Sequence, residues 1–143
     1  MAQYKKSISL VLGSGGARGL AHIGVIQWLQ ENGYSIQSVA GCSMGALVGG
    51  VFALGKLDEF SDWVTAINRV EILRLLDFSL GQGGLVKGDR VIETLKALTG
   101  ESLIEELPIA FTAVAADIAN EKEVWIGRGP IFEAIRASIS LPL

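Results

Sequence analysis

The sequence predicts an α/β domain: a three-layer α/β/α stack around a mainly parallel sheet. Three observations carry this. Apolar runs of strand length alternate with apolar stripes at helical spacing, giving strand–helix–strand–helix over residues 8–55. Such an alternation builds a βαβ unit, whose strands are parallel. Half of the residues are hydrophobic and only 19% are charged, so most elements must bury at least one face, as in a sheet covered by helices. Glycine supplies 18 of 143 residues, roughly twice the usual ~7%. Much of it is clustered, which points to tight turns and close backbone approach.

The elements follow in order. Ile8 to Leu12 reads as a buried first strand, and Gly13 to Gly19 as a glycine loop. Leu20, Ile23, Ile26 and Leu29 form a helical stripe ending at Asn32-Gly33. Ile36 to Ala40 is a second strand, followed by a turn at Gly41–Gly45 and a helix to about Leu54, closed by Gly55. Leu57, Phe60, Trp63, Val64 and Ile67 continue at helical spacing. Their aromatics read as core packing, with the wall of an acyl pocket as the sharper alternative. Leu76 to Gly88 reads as an irregular loop, a candidate lid, with Asp89 as N-cap of a helix ending at Gly100. Residues 109–115 form a third strand after Pro108, and Glu123 to Ile126 a fourth, with a turn at Asn120-Glu121-Lys122. Pro130 sits at a first helical position and starts a helix to Ala137. One domain, residues 1–143, accounts for the whole chain.

Bulk properties exclude several classes. The net charge is −3 with no basic block, so no nucleic-acid partner is expected. Cys42 is the lone cysteine, which rules out an intramolecular disulfide and makes a reducing, cytoplasmic location the default. The apolar run after Lys6 is too short for a signal sequence. Residues 32–55 carry no charge, yet their glycines, serines and central turn fit a buried strand and helix better than a membrane span. No metal-ligand spacing occurs, and no cofactor is expected.

The chemistry centres on Gly41-Cys42-Ser43-Met44-Gly45. This is G-x-S-x-G, the nucleophile elbow, in its required strand–turn–helix setting. Gly41 and Gly45 allow the sharp turn, and the helix beyond aims its positive end at developing charge. Cys42, one place from the tip, is a poorer nucleophile candidate. An acyl-transferring serine needs a base, oxyanion donors and a dry pocket. The one histidine, His22, precedes Ser43, which excludes the Ser–acid–His order of the common α/β-hydrolases. Gly13, Gly15 and Gly19 read G-x-G-x-x-x-G, close to a dinucleotide fingerprint. The acidic residue that would hold a ribose is missing, since Ala40-Gly41 fills that place. The loop instead supplies N–H groups to the elbow from the adjacent strand end, with Arg18 bracing it or adding positive potential.

Residues 12–25, with the run Gly13-Ser14-Gly15-Gly16-Ala17-Arg18-Gly19, resemble the oxyanion loop and first helix of patatin-like phospholipases. Residues 41–46 resemble their elbow, and residues 83–88 and 134–142 are similar to further stretches of bacterial members. The resemblance spans nearly the whole chain. It implies a serine lipid acyl hydrolase that uses a Ser–Asp dyad without histidine. It implies Ser43 as nucleophile, and Gly15, Gly16 and the Met44 N–H as the oxyanion hole. The substrate would be a lipid or other ester, met in places at a membrane surface by peripheral association.

Ser14 departs from the family's first of three glycines. The family aspartate lies in an Asp-Gly segment, and this sequence has no Asp-Gly pair; its aspartates are Asp58, Asp62, Asp77, Asp89 and Asp117. Asp117, near a strand end, is a weak surrogate. The expectation is a domain incomplete before the dyad aspartate, with exposed apolar surfaces prone to self-association. The alternatives are a non-catalytic lipid- or partner-binding fragment and an acyl-carrier transacylase, which normally needs a histidine.

Overall fold

The computed structural model describes residues 6–76 and 84–140. Strands β1 (Lys6–Leu12), β2 (Tyr34–Cys42), β3 (Ala110–Asp117) and β4 (Lys122–Ile126) form one sheet in the order β1-β2-β3-β4. The first three are parallel and β4 returns antiparallel to β3. Among the described residues, six helices accompany the sheet: α1 (Ala21–Glu31), α2 (Met44–Ala53), α3 (Leu57–Ala66), α4 (Arg69–Leu76), α5 (Gly84–Thr99) and α6 (Ile131–Ile139). Short 3-10 turns cover Gly16–Leu20 and Ile104–Glu106. The mostly parallel sheet with flanking helices is the expected α/β class, consistent with a three-layer patatin-like stack.

Register sorts the two sheet faces. Leu12, Gly41, Ala113 and Ile126 lie in one cross-strand row, and the first three of these are buried. Val11, Ala40 and Thr112 lie in the adjacent row, on the opposite face because successive side chains alternate. Helix α2 packs on the first face, where Gly49 sits over Val39 and Phe111. Its residues carry almost no polarity, and all ten are buried. A helix apolar on every side belongs in the interior. Ile26, Met44, Leu47, Phe60, Leu95, Ile131, Phe132 and Ile135 complete a single core.

The sequence-based boundaries hold at most places. Gly33, Gly55 and Gly100 each take a positive φ just past a helix, the left-handed closure that glycine makes cheaply. Asn120 and Glu121 lie in the β3–β4 turn, and Leu57, Phe60 and Val64 face the core.

Three expectations need correction. Helix α5 begins at Gly84, so Asp89 lies inside the helix and is not its N-cap. Residues 84–88 are helical rather than an irregular loop, and residues 77–83 of the expected lid lie outside the described residues. Pro130 is the N-cap, with an extended ψ of 124°, and Ile131 is the first helical residue. Helix α4 follows α3 after a short break, and the sequence pattern alone did not separate it.

Candidate active site

Strand β2 ends at Cys42, its last residue in register with β3. The chain then turns at Ser43 and enters α2 at once. Ser43 has φ 54° and ψ −120°, a region L-residues avoid at a cost of about 1–3 kcal/mol. The side chain is half-buried at the tip of this turn. The glycines on either side have steric reasons. A Cβ at Gly41 would strike the Gly45 carbonyl and approach Ala46 N to 2.6 Å. A Cβ at Gly45 would strike the Leu12 carbonyl and come within 2.6 Å of the Gly13 oxygen. The start of α2 therefore rests directly on the end of β1, and only glycine fits.

The same packing brings the glycine loop to the elbow. A Cβ at Gly19 would lie 2.6 Å from Met44 Cβ. Met44 is fully buried, so its side chain anchors the first turn of α2 against the 3-10 turn that carries Arg18 and Gly19. Gly15 (φ 143°) and Gly16 (φ 54°) both use backbone that side chains disfavour. Loop and elbow thus converge at the carboxyl ends of adjacent parallel strands, as their spacing requires. Arg18 is exposed there. The Gly13 carbonyl is held by His22, whose Nε2 lies 2.9 Å away. The imidazole is therefore engaged with the loop backbone.

Electrostatics favour an anion at this point. The first intrahelical bond of α2 runs from Leu47 N–H to the Ser43 carbonyl. The N–H groups of Met44, Gly45 and Ala46 consequently have no intrahelical acceptor, and they sit at the positive end of the helix dipole. The Ser43 N–H is already committed, donating to Ser138 Oγ at 2.8 Å. Among the described residues, no side chain hydrogen-bonds to the Ser43 hydroxyl.

The remaining candidates are placed elsewhere. Cys42 is exposed and belongs to the strand, opposite Val114. Asp117 is occupied in the β3–β4 turn, where its carboxylate accepts from Asn120 N at 3.2 Å and Asn120 Nδ2 at 2.8 Å. Asp89 pairs with Arg136 at 2.6 Å, tying α5 to α6. A cavity of about 480 Å³ lies by Tyr34, Ser35 and Leu57, at the opposite end of β2 from Ser43. Trp63 is partly buried and packed on the core, in keeping with the packing reading of the α3 aromatics. Among the described residues, no group of His, Cys, Asp or Glu is arranged to hold a metal ion.

A family profile described as patatin-like phospholipase matches residues 10–143. The chain belongs to the patatin-like phospholipase family. Its relatives include an NTE family protein of Mycobacterium tuberculosis, 52% identical over 135 residues, 94% of this chain and 38% of that protein. A patatin-like phospholipase domain-containing protein of Caenorhabditis elegans is 34% identical over 140 residues, 94% of this chain and 10% of that protein. A lysophospholipase of Emericella nidulans is 31% identical over 144 residues, 95% of this chain and 9% of that protein. The chain thus spans well under half the length of these patatin-like relatives. Membership also bears on Ser138. Its segment resembles the family, yet nothing in the spelling Ala-Ser-Ile-Ser-Leu-Pro reveals that its first serine reaches the elbow. No described helix is long and apolar enough to cross a membrane.

Proposed function

We propose that this chain carries the nucleophile and oxyanion half of a serine lipid acyl hydrolase. The observation that carries the reading is Ser43 held at φ 54°, ψ −120° on the N-terminus of α2, beside a glycine loop braced to receive an anion. The substrate is a carboxylic ester of a lipid, a class supported by the family and by the relative named as a lysophospholipase. Ser43 Oγ attacks the ester carbonyl carbon and its proton passes to an aspartate carboxylate. The resulting oxyanion is bound by the N–H groups of Gly15, Gly16 and Met44. Collapse expels the alkoxide, which takes the proton back from the aspartate and leaves an acyl-Ser43. Water then repeats the sequence and frees the fatty acid.

The aspartate in this reading lies outside the 143 residues. Asp117 supports a turn, and none of the described carboxylates engages Ser43. Loss of the acid from a Ser–His–Asp triad costs about 10⁴-fold in turnover. An oxyanion hole and binding alone leave roughly 10³-fold over water. The 143-residue chain is therefore expected to show little or no hydrolysis of a p-nitrophenyl ester, and a form extended through an Asp-Gly segment is expected to be active and to be silenced by Ser43→Ala. Robust hydrolysis by the 143-residue chain, abolished by Ser43→Ala, would overturn the missing-base part. The rival is a non-catalytic lipid- or partner-binding module. It is favoured if a fluorophosphonate probe leaves Ser43 unlabelled in the extended form.

A further inference from the structure

The geometry points to Ser138 of α6 as a positioning residue that clamps the nucleophile elbow to strand β3. The reading of Ser43 as nucleophile underlies its functional consequence. Ser138 Oγ accepts the Ser43 N–H at 2.8 Å and donates to the Val114 carbonyl at 2.6 Å. The direction of both bonds is determined. A backbone N–H can only donate and a carbonyl can only accept, so the single hydroxyl proton must lie toward Val114 and a lone pair toward Ser43. The bridge joins residues 95 positions apart, and it is part-buried, where an unmade polar bond is costly.

Its position explains why it is needed. Pairing of β2 with β3 ends at Cys42–Val114. The next N–H, that of Ser43, is beyond the ladder and before the helix, so neither element supplies an acceptor. Ser138 takes that place and uses the carbonyl of the last paired β3 residue as its second anchor. A strained turn persists only where its surroundings over-determine it. Gly41 and Gly45 permit the turn, and the Ser138 clamp holds one side of it. The clamp also turns the Ser43 N–H away from the ester, leaving the next N–H, that of Met44, as the elbow's oxyanion donor. Helix α6 is in turn pinned to α5 by Arg136–Asp89, so the clamp rests on a fixed element.

The test uses ¹⁵N-labelled 143-residue chain as wild type, Ser138→Ala, Ser138→Cys and Ser138→Thr. Two readouts are taken: amide hydrogen exchange at Ser43 in that chain, with Leu47 as reference, and the rate of fluorophosphonate labelling of the same variants in the form extended through an Asp-Gly segment. Ser138→Ala is expected to speed Ser43 exchange by about tenfold or more, the factor of one lost hydrogen bond, with Leu47 unchanged. Labelling is expected to slow by a similar factor. Ser138→Cys falls between, and Ser138→Thr, which keeps the hydroxyl, restores both. Unchanged Ser43 exchange in Ser138→Ala overturns the clamp. So does a uniform rise in exchange at Ser43 and Leu47 alike, the mark of general destabilisation. Faster Ser43 exchange with unchanged labelling overturns the positioning role. If no extended form labels, wild type included, while Ser43 exchange alone rises in Ser138→Ala, the clamp stands and the nucleophile reading falls.

Discussion

Ser43 concentrates the conflict between folding and chemistry in one residue. Its backbone occupies a region that glycine enters at far lower cost than any side chain. Ser43→Gly should therefore raise stability by about 1 kcal/mol while removing the proposed nucleophile, the usual exchange at a strained site. The urea midpoint would shift upward at unchanged slope; a midpoint below wild type would show that the side chain, not the backbone, dominates there. The elbow and the glycine loop were legible in the sequence because both depend on local spelling. Glycines at fixed offsets from a serine, after a strand and before a helix, admit few conformations. The partners of those residues were not legible. Nothing in the sequence said that His22 would hold the Gly13 carbonyl, that Asp117 would be consumed by Asn120, or that Ser138 would accept the Ser43 N–H. Those contacts are set by how elements far apart in the chain pack.

At the scale of elements, the glycine-rich stretch before Arg90 was the most misleading. Glycine costs about 1 kcal/mol relative to alanine inside a helix, so Gly84 and Gly88 argue for a loop. In the fold Gly88 is buried with Ile139 of α6 beside it, and tertiary packing overrides propensity. Asp89 is freed from capping to pair with Arg136. A second tether joins the 3-10 turn at Ile104–Glu106 to the approach of α6. The Glu105 carboxylate accepts the Gly129 N–H at 2.8 Å, and Leu103 bridges to Pro130. The Gly129 bond, followed by Glu105's own backbone N–H and the Arg128 charge, holds the Glu105 carboxyl below its ordinary value of 4.5. A lowered folded-state pKa stabilises above the unfolded value and is lost as pH falls through the folded one. Stability should decline below about pH 4.5, and Glu105→Gln should make that decline shallower. Thermal melting of both proteins from pH 6 to pH 3 checks this; parallel curves would show that the Glu105 tether contributes nothing. The group is solvent-exposed, so the difference is small.

At the scale of the whole molecule, the two sheet faces differ sharply. The face under α2 carries the core. The face bearing Val11, Ala40, Thr112, Val114 and Trp125 leaves Val11 84% and Trp125 69% exposed among the described residues. Apolar surface of that kind favours association, and among the described residues β1 is the edge strand of the sheet, where backbone groups are open to pairing. We expect concentration-dependent self-association of the 143-residue chain, seen by light scattering, and a lower apparent mass on Trp125→Lys. A monodisperse monomer at all concentrations would refute it.

Local spelling was enough for the α/β class, the parallel βαβ start, the sharp strand-to-helix turn at Ser43 and the glycine loop. Each rests on short-range periodicity or on backbone that only certain residues can adopt. Long-range packing set where α5 begins, which of the described acids were already engaged, and that α6 reaches back to the turn at Ser43. Those outcomes depend on contacts between residues distant in the chain, whose energies become visible only once the elements share a core.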